Sequence, residues 1–391
     1  MPTTVILRDV DDVRVNLLPL TFTRPVSLLR AGILTLREKW ERRIPGCYRY
    51  DTAGYLAPKF ECAAPEALSS PDTLVIASHV VADDSLAAAV AALRPGERLL
   101  APSGECLAER CGALPKDVTY ALPYKEITRV YHIFSLNAEC LDEDFALITA
   151  GRESCPVSPT VTIVGPRERV FIEEGARMEC AIINVEHGPV YLGRDAEVME
   201  GALIRGGLAL CEHAVVNMGA KIYGATTLGP YCKVGGELNN VVMIGYSNKG
   251  HDGFLGNAVI GEWCNLGGGT TASNLKNDYT PVKLWNYPAR RFMPTGLQFC
   301  GLIMGDHSKT GINTMLNTAT VFGVGVNFHG SGYPRNFTPS FSEGSTAGMN
   351  DVQLTKFFAI AERMMARRHV ELTAVDRAIF EEIFRLAETY K

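Results

Sequence analysis

The sequence lacks the C-x-x-C pairs of a zinc ribbon, although it contains 11 cysteines. The cysteines are scattered and odd in number, so we expect reduced thiols rather than a disulfide framework. No run approaches the roughly 18 apolar residues that a membrane span requires. The N-terminus becomes acidic before any apolar stretch reaches the length of a signal peptide. We therefore expect a cytoplasmic protein without a membrane partner.

The sequence also lacks an excess of positive charge. Its formal net charge is −5, which argues against a broad nucleic-acid-binding face. A local basic pocket for a small phosphorylated ligand remains compatible with this charge. With 391 residues, 47 % of them hydrophobic and 21 % charged, the chain is long enough for two or three domains of ordinary composition.

A six-residue repeat occupies the middle of the chain. Every sixth position is aliphatic at Leu192, Val198, Ile204, Leu210, Val216, Ile222, Leu228 and Val234. Four residues after each stands a mostly small residue, namely Ala196, Ala202, Leu208, Ala214, Ala220, Thr226, Cys232 and Leu238. This period is typical of a hexapeptide β-helix, in which three short strands and turns make one triangular coil. The aliphatic side chains are expected to fill the interior.

The repeat divides the chain into three regions. Residues 1–155 are predicted to form a mixed α/β domain, with a strand at "TTVILRD" and a helix capped by Asp84 or Ser85. Residues 156–345 form the β-helix, with Ile312, Thr318 and Val324 as its last repeats. Residues 346–391 contain the two amphipathic helices of a C-terminal tail, the second opening at Thr373. A loop, "SEGSTAGMND", is expected before the first of them.

The register of the repeat breaks after Val234 and is expected to resume at Phe254, Ile260, Leu266 and Ala272. Between them lies "YSNKGHDGFLGN", with His251 flanked by glycines and an acid. We therefore expect an insertion here, and insertions into a solenoid lie on one face and often carry function. His251 is either a catalytic base or a turn histidine bonded to Asp252 or to a backbone carbonyl.

The repeat resembles the left-handed hexapeptide-repeat acyltransferases. The segment "YSNKGHDGFLGNAVIGEWCNLGGGTTASNLKND" is similar to the active-site coil of the bifunctional N-acetylglucosamine-1-phosphate uridyltransferase/glucosamine-1-phosphate acetyltransferases. The blocks "TFTRP", "GHDGFLGN" and "GLIMGDH" resemble a Bacteroidetes-type branch of that family, over nearly the whole chain. The resemblance implies a left-handed β-helix in a homotrimer, with acetyl-CoA as co-substrate in a groove between subunits.

The resemblance also assigns roles to particular residues. It makes His251 the base that deprotonates the acceptor amine, and the substrate-binding residues would be Lys233, Lys249, Phe254, Asn265 and Asn274. The acetyl-CoA-binding residues would be Gly268, Lys283, Asn313 and Thr314. Phe254 replaces a tyrosine of the family, and the segment "GPYCKVGGELNN" is shorter than the family's phosphate-binding run. The phosphate clamp must therefore be rebuilt, or the acceptor differs.

The first domain resembles the nucleotidyltransferase domain of the same family. Arg24 and Lys39 are the expected nucleotide-binding residues, in "LLPLTFTRPVSLLRAGILTLREKW", which lacks the family's two phosphate-binding glycines. Where the family places a magnesium-binding aspartate, this sequence has Ser78 and His79. Mg²⁺ is therefore expected only if nucleotidyl transfer is retained, and no metal-binding residue is assigned.

The preferred function implied by the resemblance is acetyl transfer from acetyl-CoA to glucosamine 1-phosphate, with uridylylation as the second step of nucleotide-sugar synthesis. One alternative is a sugar-1-phosphate nucleotidyltransferase, uridylyl or thymidylyl, whose β-helix is mainly structural. A zinc-dependent hydrolyase using solenoid histidines and a non-catalytic scaffold are two further alternatives. The solenoid histidines are His187, His213, His251, His307 and His329.

Overall fold

The structure is a computed structural model that describes residues 3–391. It divides into two compact units. The first contains residues up to 17, 23–30 and 34–129, and the second contains residues 18–22, 31–33 and 130–391. The division at 129/130 precedes the domain boundary expected near residue 155.

The first unit is a mixed α/β unit, as predicted. Its strands are β1 Thr4–Arg8, β2 Cys47–Asp51, β3 Thr73–Ala77, β4 Val80–Val81, β5 Glu97–Leu100, β6 Cys106–Arg110, β7 Lys116–Thr119 and β8 Lys125–Glu126. Its helices are α1 Asp11–Asn16, α2 Leu36–Glu41 and α3 Asp84–Ala91. Six strands form one sheet in the order β2-β1-β3-β6-β5-β7, with β1 parallel to β2 and β3, and β4 pairs with β8. The expected strand at the N-terminus is thus β1.

The N-cap of α3 lies one residue before the first of the predicted positions. Asp83 has extended backbone, and its carboxylate accepts a hydrogen bond from the amide of Leu86 at 2.8 Å. Asp84 and Ser85 lie inside the helix, where Asp84 pairs with Arg43 at 2.8 Å. Aspartate is strongly preferred at the N-cap position. Because Asp83 and Asp84 are adjacent, the sequence alone did not determine which of them caps the helix.

The second unit is a left-handed parallel β-helix followed by helices. Its strands in the first part are β9 Thr162–Val164, β10 Val170–Ile172, β11 Arg177–Met178, β12 Ile182–Asn184, β13 Val190–Leu192, β14 Glu197–Val198, β15 Leu203–Arg205, β16 Leu208–Leu210, β17 Val215–Val216, β18 Lys221–Tyr223, β19 Thr226–Leu228 and β20 Lys233–Val234. Those in the second part are β21 Glu237–Gly245, β22 Asn248–Lys249, β23 Phe254–Glu262, β24 Asn265–Leu266, β25 Thr271–Ala272, β26 Lys283–Asn286, β27 Arg291–Pro294, β28 Ile303–Met304, β29 Lys309–Thr310, β30 Met315–Leu316, β31 Val321–Phe322, β32 Asn327–Phe328, β33 Phe337–Thr338, β34 Ser342–Ser345 and β35 Gly348–Asp351. Its helices are α4 His132–Ser135, α5 Asn137–Thr149, α6 Leu354–Ala366 and α7 Ala374–Ala387.

The interior of the β-helix follows the six-residue period as predicted. All eight aliphatic positions from Leu192 to Val234 are at most 3 % exposed, and so are the eight residues that follow them by four. Val190 pairs with Leu208, and Leu208 with Thr226, so one full coil contains three of the six-residue repeats. Burying this continuous aliphatic column is the main favourable term in the stability of the solenoid.

The break after Val234 is a shortened coil rather than an insertion. Val215 pairs with Lys233 across a full coil, whereas Lys233 pairs with Asn248, so the coil between them is three residues short. The inward position after the break is Leu255, which is fully buried and pairs with Ala272. Of the expected series, Ile260, Leu266 and Ala272 are at most 2 % exposed and belong to the solenoid core, as predicted. Only the first position is wrong, by one residue, because the shortening shifts the sequence against the coil.

The insertion lies one coil later. Leu275 and Phe299 form an isolated bridge, and the residues between them contain the antiparallel pair β26 and β27. After this insertion the inward positions are Thr310, Leu316, Phe322 and Phe328, each at most 5 % exposed. The expected series Ile312, Thr318 and Val324 is out of register, since Ile312 is 76 % exposed.

The C-terminal region contains the two predicted helices, α6 and α7. The segment expected to be a loop, "SEGSTAGMND", instead forms an antiparallel hairpin of β34 and β35. Apolar side chains of α6 and α7 contact the end of the solenoid. His307, for example, packs edge-on against Phe357 and Phe380 at ring-centroid distances of 5.5 and 5.2 Å. The helices thus cover part of the β-helix in this unit.

Replacing Thr373 by alanine should lower the free energy of unfolding by about 0.5–2 kcal/mol. The Thr373 hydroxyl accepts a hydrogen bond from the Asp376 amide, and the Asp376 carboxylate accepts one from the Thr373 amide at 3.0 Å. Thermal and denaturant unfolding would measure the loss. Thr373→Ser keeps the hydroxyl and is the matched control, so equal losses in both variants would contradict the capping role.

Candidate functional site

A row of four polar side chains follows one face of the β-helix around the shortened coil. Lys233 of β20 pairs with Asn248 of β22, Asn248 with Asn265 of β24, and Asn265 with Lys309 of β29. Residues paired in this way stand about 4.8 Å apart on the same side of a sheet. The row is therefore a strip of roughly 14 Å with a lysine at each end and two amides between them.

His251 lies at the turn that follows this face in the shortened coil. Its side chain is exposed. The ring stands against Gly268 of the next coil, where a Cβ atom would lie 3.6 Å from the His251 Cβ and 3.8 Å from its Cδ2. Among residues 3–391, none hydrogen-bonds to the imidazole. The hydrogen bond expected of a turn histidine, to Asp252 or to a backbone carbonyl, is therefore not formed by the described residues.

His251 and the polar row line one groove with a cavity of about 640 Å³. Asn217 fixes the turn beside the histidine, because its side-chain amide donates to the carbonyl of Gly250 at 2.8 Å. The groove is also lined by the end of α6, with Arg363, Arg367 and Arg368.

Sequence reasoning missed these arginines, as well as Asn248 and Lys309. The register of the coils, which places Asn248 and Lys309 beside Lys233 and Asn265, was the signal that could have found two of them. No comparable local signal marks the arginines, because their place depends on how α6 packs.

Lys249 has a different environment from the one expected for a phosphate ligand. Its side chain is 1 % exposed, and its Nζ donates to the carbonyls of Gly235 at 3.2 Å and His251 at 2.8 Å. It thereby fixes the backbone of the His251 turn from inside the coil. Burial lowers the pKa of Lys249 to about 8. The phosphate-binding role expected for Lys249 has no support in this geometry, whereas Lys233 lines the groove.

Lys309, at one end of the polar row, is held in the same way as Lys249. Its Nζ donates to the carbonyl of His307 at 2.8 Å, and burial lowers its pKa to about 8. In both lysines the ammonium is therefore held by backbone oxygens. Since carbonyl dipoles compensate a charge only in part, each lysine makes folding depend on pH.

Lys309→Met should remove this lysine's contribution to a rise in stability between pH 8 and pH 10.5, its folded and ordinary pKa values, while Lys249 keeps its own. Well below pH 8 the folded and unfolded chains both carry the proton. Above it, the folded chain loses the proton first, so the unfolded chain binds more protons and the free energy of unfolding rises with pH. Denaturant unfolding at several pH values measures the difference between wild type and variant. A pH-independent difference would contradict the burial of a charged Lys309, and Lys221→Met, at an exposed position, is the control.

Gly268 has an amide that the fold does not use. In the turn "GGGTT" the neighbouring amides are all engaged: Gly267 donates to Thr310, Gly269 to the carbonyl of Asp252 at 3.0 Å, and Thr270 to the carbonyl of Gly267. No acceptor for the Gly268 amide exists among residues 3–391. A free N–H group thus lies next to the His251 ring. Asn313, on the following coil, donates its own backbone amide to the Gly268 carbonyl at 2.7 Å.

Other predicted residues lie away from this groove. Phe254 and Asn274 approach each other across Gly256, where a Cβ would lie 2.6 Å from atoms of both. The Asn274 side chain donates to Asn257 at 2.8 Å and is 8 % exposed. Thr314 is buried and donates to the carbonyl of Gly311 at 2.8 Å. Asn274 and Thr314 therefore hydrogen-bond within the β-helix and stabilise its coils.

A second groove lies beside the inserted segment, with a cavity of about 1790 Å³. Lys283, predicted to bind acetyl-CoA, lines it together with Lys276 and Arg335. Trp285 and Phe337 stack at 4.2 Å in its wall. Asp278 also lines this groove and pairs with Lys276 at 3.1 Å. The structure therefore places Lys283 in a larger groove with charged and aromatic side chains, apart from the groove that contains His251.

In the first unit, the predicted nucleotide-binding residues are buried. Arg24 is 4 % exposed and Lys39 is 1 % exposed. Their side chains therefore offer little surface to a nucleotide in this structure.

A buried carboxylate lies at the carboxyl end of β1. Asp9 accepts hydrogen bonds from the hydroxyls of Thr52 at 2.5 Å and Ser78 at 2.6 Å, and from the amide of Val26 at 3.1 Å. Burial raises the pKa of Asp9 against the lowering effect of these bonds. The carboxyl ends of β1, β2 and β3 are thus tied together by one carboxylate.

One cluster of potential metal ligands occurs in the described part of the chain. His79, Glu105 and Glu126 each offer an atom within 4.8 Å of the others. The His79 Nε2 lies 2.9 Å from Glu105 and 4.0 Å from Glu126. Burial and repulsion by Glu105 raise the pKa of Glu126, whereas the hydrogen bond from His79 lowers that of Glu105. The two carboxylates suit Mg²⁺, but a buried imidazole is a ligand for zinc or manganese, so the set fits Mg²⁺ poorly.

The histidines considered for a zinc site in the solenoid do not form such a cluster within the described residues. His213 stacks on Tyr231 at 4.6 Å, and Tyr231 on Tyr246 at 5.1 Å, in a ladder along one corner of the coils. His213 and His307 are thus accounted for by packing. Between residues 3 and 391, no helix is long and apolar enough to cross a membrane.

Comparison with known proteins agrees with the resemblance to bifunctional enzymes. Residues 5–153 match the family model described as sugar nucleotidyl transferase. A bifunctional sugar-1-phosphate nucleotidylyltransferase/acetyltransferase of Sulfurisphaera tokodaii is 29 % identical over 131 residues, 33 % of this chain and 32 % of the relative. Bifunctional protein GlmU of Methanocaldococcus jannaschii is 36 % identical over 76 residues, 19 % of this chain and 18 % of that protein.

A third relative, bifunctional protein GlmU of Synechococcus, is 31 % identical over 139 residues, 35 % of this chain and 26 % of the relative. The chain therefore spans between 18 and 32 % of the length of these curated relatives. A solved UDP-N-acetylglucosamine acyltransferase of Arabidopsis has 14 % identity and a TM-score of 0.21, covering 54 % of this chain and 74 % of that one. The family model and the curated relatives confirm the resemblance to bifunctional nucleotidyltransferase/acetyltransferases. The Bacteroidetes-type branch stays a prediction.

Proposed function

We propose that the groove around His251 transfers an acetyl group from acetyl-CoA to the amine of an amino-sugar 1-phosphate, with glucosamine 1-phosphate preferred. The observation that carries the proposal is an exposed imidazole without a protein partner, placed beside a free backbone amide in a basic groove. A sugar phosphate requires cations, and an acyl transfer to an amine requires a base and an oxyanion donor. All three lie within one cavity.

His251 acts as the general base of the proposed reaction. The imidazole accepts a proton from the acceptor amine as the amine nitrogen attacks the thioester carbonyl carbon. The C–S bond then breaks, the coenzyme leaves as thiolate, and the proton on the imidazole returns to that sulfur. Histidine suits this role because its ordinary pKa is close to neutrality.

Gly268 and Asn265 support the same step. The free amide of Gly268 is available to the carbonyl oxygen as negative charge develops on it. Asn265 stands in the centre of the polar row, and its amide group orients the sugar hydroxyls. Lys249 donates to the carbonyl of His251 at 2.8 Å from inside the coil and so positions the turn.

Acetyl-CoA is proposed to bind with its phosphates in the second groove, at Lys283. That groove has nearly three times the volume of the His251 groove and carries both cations and stacked aromatic rings. Coenzyme A needs both kinds of contact, cations for its phosphates and aromatic rings for its adenine. The proposal includes a homotrimer with the acetyl-CoA groove between subunits. Sedimentation equilibrium measures the number of subunits.

Nucleotidyl transfer by the first unit is a second candidate function, favoured by the family match over residues 5–153. Uridylyl transfer is preferred and thymidylyl transfer is its nearest competitor. The cluster of His79, Glu105 and Glu126 fits Mg²⁺ poorly, so these residues do not account for the Mg²⁺ that nucleotidyl transfer would use. If this candidate alone holds, the β-helix is mainly structural.

One coupled assay separates the two activities. The protein is mixed with acetyl-CoA and glucosamine 1-phosphate while free thiol is followed, and then with UTP or dTTP and magnesium while pyrophosphate is followed. Thiol release that depends on the amino sugar supports the acetyltransferase. Pyrophosphate release without thiol release would reject it in favour of the second candidate.

A further inference from the structure

Within the described part of the chain, the groove around His251 is lined by basic side chains without acidic ones. Every side chain of its lining that can carry a charge near neutral pH is basic: His251, Lys233, Lys309, Arg363, Arg367 and Arg368. No carboxylate of the described residues lines the same cavity, although the chain has 43 acidic residues. Uncompensated positive charge gathered in one concave site attracts an anion.

The three arginines come from α6 and from the residues that follow it. Arg363 and Arg367 are four residues apart and therefore lie on one side of the helix. Arg368 follows and contacts Asn248 of the polar row at 3.5 Å. The arginines thus line the same groove as the strip from Lys233 to Lys309, so that cations come from both the solenoid and α6.

Basic residues are common at helix C-termini, where they offset the helix dipole. That explanation does not account for their lack of acidic partners. On another side of α6, Glu362 pairs with Arg377 of α7, so charges of this helix do form ion pairs where an opposite charge is within reach. No ion pair is formed by Arg363, Arg367 or Arg368 with any carboxylate of residues 3–391.

We propose that Arg363, Arg367 and Arg368 bind the phosphate of the acceptor sugar and make the site selective for a phosphorylated amino sugar. The planar guanidinium matches phosphate oxygens in a bidentate arrangement. This inference rests on the proposed function and supplies the phosphate clamp that the shortened segment before His251 lacks. Lys233, at one end of the polar row, completes the clamp.

Coenzyme A also carries phosphates, but the groove favours the acceptor. Its volume of about 640 Å³ suits a hexose phosphate, whereas the groove at Lys283 is far larger. The base must also reach the acceptor amine, and His251 lies in the same groove as the arginines. A single hexose phosphate bound in this cavity therefore has both the base and the arginines in its walls.

The test uses the full-length protein and the triple variant Arg363→Gln, Arg367→Gln, Arg368→Gln. Initial rates are measured with glucosamine 1-phosphate and with glucosamine, at varied acetyl-CoA. The triple variant should raise KM for glucosamine 1-phosphate by about 30-fold or more, since charge-assisted hydrogen bonds are lost. Its preference for the phosphorylated over the unphosphorylated acceptor should fall by the same factor, with KM for acetyl-CoA changed less than twofold.

Arg377→Gln is the matched control, because it removes an arginine of α7 that pairs with Glu362 outside the groove. A rise in KM for acetyl-CoA without a change for the acceptor would overturn the proposal and assign the arginines to the coenzyme. An unchanged preference for the phosphorylated acceptor would also overturn it. Circular dichroism and thermal unfolding check that the triple variant is folded.

Calorimetric titration with glucosamine 1-phosphate separates this inference from the proposed function. Binding by the wild type that is lost in the triple variant supports the clamp even if no thiol is released, which would reject acetyl transfer alone. If the wild type does not bind glucosamine 1-phosphate, or the triple variant binds it equally well, the clamp is rejected.

Discussion

Replacing His251 by alanine should lower the rate of acetyl transfer by about 10²- to 10⁴-fold, the usual contribution of a general base. The side chain is exposed and makes no hydrogen bond to the described protein, so its removal should leave stability nearly unchanged. The loss should appear in kcat and kcat/KM together, since the interaction forms only as the amine loses its proton. Free-thiol release measures the rate.

His329→Ala is the control for this prediction. His329 is likewise exposed and follows the same face of the solenoid three coils later, where its backbone amide donates to the carbonyl of Gly344 at 2.9 Å. It does not line the groove. A loss below about threefold in His251→Ala, or an equal loss in His329→Ala, would contradict the assignment of the base.

Gly268→Pro should lower kcat by about 10²- to 10³-fold, the usual effect of removing one oxyanion donor. Proline deletes the N–H group that the fold leaves unused, so no backbone hydrogen bond is lost with it. Gly268 lies outside the left-handed region, which proline cannot adopt and in which Gly269 stands at φ +74°.

Gly268→Ala separates this effect from steric disturbance. It retains the N–H group, and its Cβ would meet His251 at 3.6–3.8 Å, an ordinary van der Waals distance. We expect alanine to keep most of the activity. Thermal unfolding verifies that both variants are folded, and a proline variant as active as the alanine variant would contradict the role of this amide.

The β-helix was predictable from the sequence because large and small side chains recur with a period of six residues. Each position from Leu192 to Val234 repeats the same local demand, a large aliphatic group inside and a small one near the corner. The same period also predicted the inward positions Ile260, Leu266 and Ala272 after the break. The first inward position, Leu255, was not predictable, because the shortening of the coil between Lys233 and Asn248 depends on strand pairing rather than on composition.

The groove was predictable where a short stretch of sequence carried the information. His251, Asn265 and Gly268 lie on two neighbouring coils, close together in the sequence, and were found from the segment that resembles the family's active-site coil. The arginines at the end of α6 lie far later in the chain, and their place depends on how the helix packs. A lysine near the motif was equally hard to assign, since Lys249 points inward while Lys233 lines the groove from the adjacent coil.

Detection of the product would test the central claim most directly. Wild-type protein, His251→Ala and His329→Ala are each incubated with acetyl-CoA and glucosamine 1-phosphate, and the sugar phosphate is analysed by mass spectrometry and NMR. The account predicts the N-acetylated sugar 1-phosphate from wild type and His329→Ala, and at most about one per cent of that rate from His251→Ala. Unmodified glucosamine 1-phosphate with the wild type, or equal product from His251→Ala, would contradict it.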